Sequence, residues 1–213
     1  MMKKVKFIVF ICLFILLPLA YFNGFIRISD LTSEQESIAK KYGGVYVFDE
    51  KLEKEIDKRE EERQIMTKGL SGKKLAENRY AVDMTPVNEK LPRVLTNGKR
   101  YYLRWIDYEN ETGKEVKIPN DYVEKIINYI GKENLEKYTP NLSMSYFYID
   151  GDKVVPIRTS ASYLYRIKTF TLYGDEASGI KFSSSNLAAA KGGNRFEFIN
   201  NKFEKVSTSD KDK

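Results

Sequence analysis

A chain of 213 residues with a formal charge of +6 and 42% hydrophobic residues is long enough to bury a core of its own. It has no histidine and one cysteine, Cys12, which excludes disulfides, Ser-His-Asp and Cys-His catalysis, and thiolate or imidazole metal sites. Three of its 36 basic residues, Lys3, Lys4 and Lys6, precede the first apolar run, leaving 33 against 30 acidic ones, or +3, in the rest; acids interrupt the basic clusters, so the concentrated basic face of a nucleic-acid binder is excluded.

No charged residue falls between Lys6 and Arg27. The intervening FIVFICLFILLPLAYFNGFI, residues 7–26, has the length that crosses a hydrocarbon core of about 30 Å as one helix. The lysines before it hold the N-terminus in the cytoplasm by the positive-inside bias. The expectation is a single-pass signal-anchor transmembrane helix over residues 1–26, in a bacterial inner membrane, with the lipid bilayer as partner through residues 7–26. The remainder is then extracytoplasmic. The alternative is a cleaved signal peptide that leaves a secreted or periplasmic protein; its best site, after Ala20 with Pro18 at −3, lacks the A-x-A pattern. The Lys-, Ile-, Asn- and Tyr-rich composition reads as bacterial.

Residues 27–78 read as a membrane-proximal helical or linker region. Ser33 and Glu36 form the S-x-x-E capping box of a short helix that Gly43 and Gly44 end. Val45–Phe48 reads as a short strand. Asp49 then caps a helix in which Glu50/Lys54 and Lys51/Glu55 are spaced i,i+4. Its middle, DKREEERQ, is almost wholly charged, the pattern of a solvated face or a spacer. The following GLSGKK has two residues between its glycines where a phosphate-binding loop needs four, and reads as a helix-ending turn.

Residues 79–206 read as an α+β extracytoplasmic domain, an antiparallel sheet packed by one amphipathic helix, with 207–213 as a disordered tail. Asn97-Gly98 is a hairpin signal. After it, Tyr101, Leu103 and Trp105 alternate with Tyr102, Arg104, Ile106 and Tyr108 as in a strand. The segment PNDYVEKIINYIG predicts the amphipathic helix, with Tyr122, Ile126, Tyr129 and Ile130 on one stripe and Gly131 at its end. SMSYFYIDGDKVVPI reads as a hairpin, and SYLYRIKTFTLYG as a strand. RFEFINNKFEKV reads as a final hairpin in which Asn200-Asn201 turns the chain and sets Phe198 opposite Phe203.

Little chemistry emerges. Ser37/Lys40, Ser71/Lys74 and Ser178/Lys181 match the S-x-x-K spacing of a histidine-free acylating serine, at a frequency that chance supplies. Asp107, Glu109, Glu111, Asp150 and Asp152 sit near turns without a pairing that marks glycosidic chemistry. The fifteen tyrosines are the stronger signal. Tyr102, Arg104, Tyr108, Tyr146 and Tyr148 form the candidate interaction patch, since tyrosine and arginine dominate binding hot spots. The function expected is that of a non-enzymatic, membrane-anchored binding or interaction protein of the bacterial envelope, such as a secretion or conjugation accessory or a toxin-immunity inhibitor. It has a protein partner, no nucleic acid and no cofactor. An envelope hydrolase using carboxylates or a Ser-Lys pair is the alternative.

Overall fold

The computed structural model describes residues 2–76, 79–175, 177, 179–190 and 192–208. Residues 209–213, most of the expected tail, lie outside them, as does Ser178.

The N-terminal run does not form the transmembrane helix expected of it. It divides into α1 (Met2–Ile11), a π-helical segment Cys12–Leu16 and α2 (Leu17–Phe22), after which β1 (Asn23–Ser29) begins. Two local features divide it. The hydrogen-bond register changes at Cys12, and Pro18, which has no N–H, sits in the first turn of α2. Residues 23–26, counted within the span, are instead in a strand in which Asn23 pairs with Thr171. At 1.5 Å per residue the ten residues of α1 reach about 15 Å, half of a hydrocarbon core. Among the described residues no helix is long and apolar enough to cross a membrane. The signal-anchor, single-pass and inner-membrane expectations are corrected accordingly.

The rest is α+β, built on an eight-stranded sheet that is mixed where the sequence predicts an antiparallel one. In chain order follow α3 (Ser33–Tyr42), β2 (Gly44–Val47), α4 (Glu50–Lys68), β3 (Lys73–Ala76), β4 (Arg79–Ala81), α5 (Thr85–Lys90), β5 (Tyr101–Arg104) and α6 (Trp105–Thr112). Then come α7 (Asn120–Ile130), α8 (Lys132–Lys137), β6 (Asn141–Asp150), β7 (Lys153–Asp175), β8 (Gly179–Ala190), β9 (Asn194–Ile199) and β10 (Lys202–Thr208). The sheet order is β10-β9-β2-β7-β6-β5, and β1 and β8 flank the far half of the 23-residue β7. The parallel contact is β2 against β9. It forms because β2, early in the chain, inserts between two late strands. A glycine is required at its start. Gly44 has φ +149, and a Cβ there would lie 2.1 Å from the Asn194 carbonyl oxygen. Asn194, buried, donates its side-chain amide to the carbonyls of Lys40 and Gly43, each at 2.8 Å, tying the end of α3 to β9.

The two faces of the sheet are covered differently. On β9, Phe196 faces the apolar stripe of α7, packing with Tyr46, Ile126, Ile130 and Phe203. Its neighbours Arg195 and Glu197 face the other way, and Arg195 pairs with Glu53 of α4. The charged helix is therefore docked on the sheet. Glu53, Ile56 and Arg63 are buried along it. Arg63 donates to the carbonyl of Leu91 and, at 2.7 Å, to the Asn88 side chain. Glu60 takes both Arg93, at 2.9 and 3.0 Å, and the Tyr101 hydroxyl, at 2.7 Å.

Strand alternation slips once. Tyr146 has φ +45 and does not pair in the ladder that joins Ser145 to Arg158 and Phe147 to Pro156. In consequence Met144 and Phe147, three residues apart, enter one core cluster, while Tyr146 and Tyr148 enter another with Ile56 and Tyr101.

Burial raises several tyrosine hydroxyls. Desolvation, helped by Tyr42, pushes Tyr163 up to about 12. Desolvation and the hydrogen bond to Asp57 push Tyr146 up to about 12. Tyr46, also desolvated, is raised further. A folded-state value above the ordinary one of about 10 stabilises the fold fully below pH 10, and the stabilisation is lost as pH rises through about 12. Tyrosinate absorbance is therefore expected to rise together with loss of circular dichroism above pH 10. Complete titration near pH 10 with the fold intact would contradict the burial of these rings.

Candidate binding groove

The strand expected to run through Tyr108 ends at Arg104, because helix signals take over there. Arg104 pairs with Asp107 in the first turn of α6, at 2.6 Å, and Gly113, in the left-handed conformation, closes its last turn on the Glu109 carbonyl. Strand β5 is thus only four residues long, and its last pair is Arg104 with Ser145. The first residues of β6, Asn141 to Met144, extend past it with no strand on that side among the described residues.

Which backbone groups face the open edge follows from the ladder. The Asp30 N–H donates to the Arg166 carbonyl, and the Arg166 N–H donates to the Asp30 side chain, so even-numbered residues of this part of β7 bond toward β1. β1 lies on the β6 side of β7. The Phe48 N–H donates to the Ile157 carbonyl at 2.8 Å, so odd-numbered Thr159 and Ala161 bond toward β2, and even-numbered Ser160 and Ser162 bond toward β6, where they pair with Ser143 and Asn141. The N–H and C=O groups of Leu142 and Met144 point away from β7, into open space.

That space is a groove of about 500 Å³ between residues 141–144 and residues 115–118, with Trp105 and Glu109 of α6 completing it. The volume lies within the usual range for ligand sites, about 300–1,000 Å³. All four consecutive residues of β6 line it. A pocket on one face of a strand touches every second residue, so this one opens onto the strand edge. Buried Val116 and Met144 form the floor with half-buried Leu142 and Ile118. Segment 115–118 is held in place by the Val116 N–H, which donates to the Glu109 carboxylate at 3.1 Å. Glu115 and Lys117 pair with each other at the exposed mouth. Trp105, 42% exposed at the start of α6, offers a large uncovered ring beside them.

The patch drawn from sequence is divided by the fold. Tyr102 and Tyr108 pack edge to face at 5.1 Å and share a cluster with Val116 and Met144, behind the groove. Arg104 is exposed beside them. Tyr146 and Tyr148 lie in the separate cluster under α4, where Arg158 stacks on the Tyr146 ring at 3.6 Å. Of the carboxylates considered for hydrolysis, Asp107 pairs with Arg104, Glu111 with Arg100, Asp150 with Lys99, and Glu109 accepts from Val116. Ser37 and Lys40 are both exposed on α3. Sequence reasoning missed Trp105, Leu142 and Met144 as site residues. The one local signal for them is the early helix start, Arg104 followed three residues later by Asp107.

No protein-family model, no curated protein and no solved structure matches this chain.

Proposed function

We propose that this protein acts by binding rather than by catalysis, and that it takes an extended segment of a partner polypeptide into the groove as an added strand on β6. The observation that carries the reading is the outward-facing backbone of Leu142 and Met144 at the edge of a slot of strand width. Such a row of alternating donors and acceptors is complementary to the backbone of another strand. The open stretch of four residues spans about 13 Å, enough for a segment of about four residues. The apolar floor suits one or two aliphatic side chains, and Trp105 supplies the kind of aromatic anchor on which binding energy concentrates. Binding over catalysis is supported by the absence of histidine and by the engagement of the groove carboxylates in structural contacts.

Selection from a displayed peptide library against the full chain tests this. The selected peptides are expected to share an extended, aliphatic-containing core. Trp105→Ala should weaken them by about 2 kcal/mol, some 30-fold in Kd. Leu142→Pro, which removes one outward donor and no bond to β7, should weaken them at least tenfold. Lys202→Ala, at the opposite edge of the sheet, should change nothing. A library that yields no binder, or binders indifferent to both groove variants, would overturn the reading.

A further inference from the structure

Among the described residues the outer edge of β8 is a second strand edge without a partner strand, independent of the groove, and we infer that it pairs with the same strand of a second copy of this chain. Strand edges are normally protected by short length, charge, proline or bulges. Three outer edges of this structure are protected. β5 has four residues and runs into a helix. β10 carries Lys202, Glu204 and Lys205 and a register shift after Lys205. β1 has seven residues, carries Arg27 and has its own irregularity. β8 has none of these defences. Its twelve residues, GIKFSSSNLAAA, hold one charge, Lys181, and no proline, and among the described residues it pairs only with β7. Ile180 and Leu187 on it are 71% and 67% exposed.

The register follows from the same ladder parity as before. Odd-numbered Ile167 and Thr169 of β7 bond toward β8, where they pair with Asn186 and Ser184. The backbone groups of Ser183, Ser185 and Leu187 therefore point outward, the Ser183 carbonyl also accepting from the Tyr173 hydroxyl at 3.3 Å. A twofold antiparallel pair of β8 strands centred on Ser185 brings Ser185 opposite its copy and Ser183 opposite Leu187 of the second molecule, each exchanging backbone bonds. The same register sets Phe182 opposite Ala188 and Lys181 opposite Ala189. Each large side chain meets a small one, and the lone charge never meets itself. This self-complementarity is what selects a second copy over an unrelated strand.

Light scattering across a concentration series, on the full chain, reads the outcome. Wild type is expected to shift from the mass of 24.8 kDa toward twice that value. Ser185→Pro removes an outward donor without touching a β7 bond, and should leave a monomer at every concentration. Cross-linking fixes the register without relying on that variant. In a Cys12→Ala background, Ser185→Cys should cross-link to its copy at least tenfold faster than Ala189→Cys, whose copies lie some 25 Å apart in this register. A monomeric wild type, a dimer that survives Ser185→Pro, or equal cross-linking at both positions would overturn the inference. Because peptide binding is read at the other end of the sheet, loss of one property leaves the other measurable.

Discussion

Glu53→Ala is expected to lower the stability of the folded chain by about 3 kcal/mol, one of the two largest single-residue effects in the molecule. Glu53 is 1% exposed and accepts from Arg195 through both oxygens, at 3.2 and 2.5 Å, with Arg158 at 3.5 Å. Removing one member of a buried pair leaves the other as an uncompensated charge, which costs about 3–5 kcal/mol. The two guanidiniums keep 29% and 26% of their surface in solvent, which places the effect at the lower end of that range. For a chain of this size, the melting temperature should fall by about 6–12 °C. Glu53→Gln should recover little, because shape is kept and charge is lost. A double change, Glu53→Leu with Arg195→Met, should restore most of the loss, since apolar residues of similar volume replace such pairs at little cost. Urea unfolding of the three variants measures this. A loss below 1 kcal/mol in Glu53→Ala would mean that α4 is not held to the sheet by this contact.

That helix shows where a single sequence stops being informative. Its caps and i,i+4 pairs are local, and Asp49 caps it as the sequence predicts, accepting from the Leu52 N–H at 2.9 Å. Its burial is not local. DKREEERQ reads as solvated because periodicity counts charges as exposed, whereas Glu53 and Glu60 are neutralised by Arg195 and Arg93, distant in sequence. The final hairpin is the opposite case. Asn200 and Asn201 take φ +50 and +64, as a two-residue turn demands, and Phe203 stands opposite Phe198 as the turn dictates. Strand β8 left little trace, since Ser-Ser-Ser-Asn-Leu-Ala-Ala-Ala has weak strand propensity and is held by its long neighbour β7. The N-terminal run misled for a related reason. Hydropathy reports apolar length, and it does not see that Asn23 to Ser29 would pair with β7.

The site was legible only in part, for reasons of topology. Tyr102 on β5 and Tyr108 on α6 come together behind the groove, whereas Tyr146 and Tyr148 on β6 go elsewhere because φ at Tyr146 reverses the sides. Leu142 and Met144 matter through their backbone, and no side-chain pattern marks an unpaired edge. Their role depends on β5 stopping at Arg104, a property of a different segment.

Phe196→Ala is expected to cost about 4 kcal/mol, more than Glu53→Ala, because it empties the centre of the α7 face. Phe196 is fully buried, stacks on Tyr46 at 4.5 Å and meets Tyr129 at 5.1 Å. Truncating a buried phenylalanine removes its transfer free energy and leaves a cavity, together about 3–5 kcal/mol. The cavity cannot close easily here. Its walls are Tyr46 in the central β2, locked between β7 and β9, and Ile126 and Ile130 on α7. Phe196→Leu should recover more than half of the loss by refilling the volume. Tyr46→Phe, which keeps the ring and deletes only the hydroxyl donating to the Tyr42 carbonyl at 2.7 Å, should cost about 1 kcal/mol. The ranking of these three in urea unfolding separates packing from hydrogen bonding in this core. If Tyr46→Phe proved the costliest, the α7 face would be held by its polar contacts and the stack of rings would be incidental.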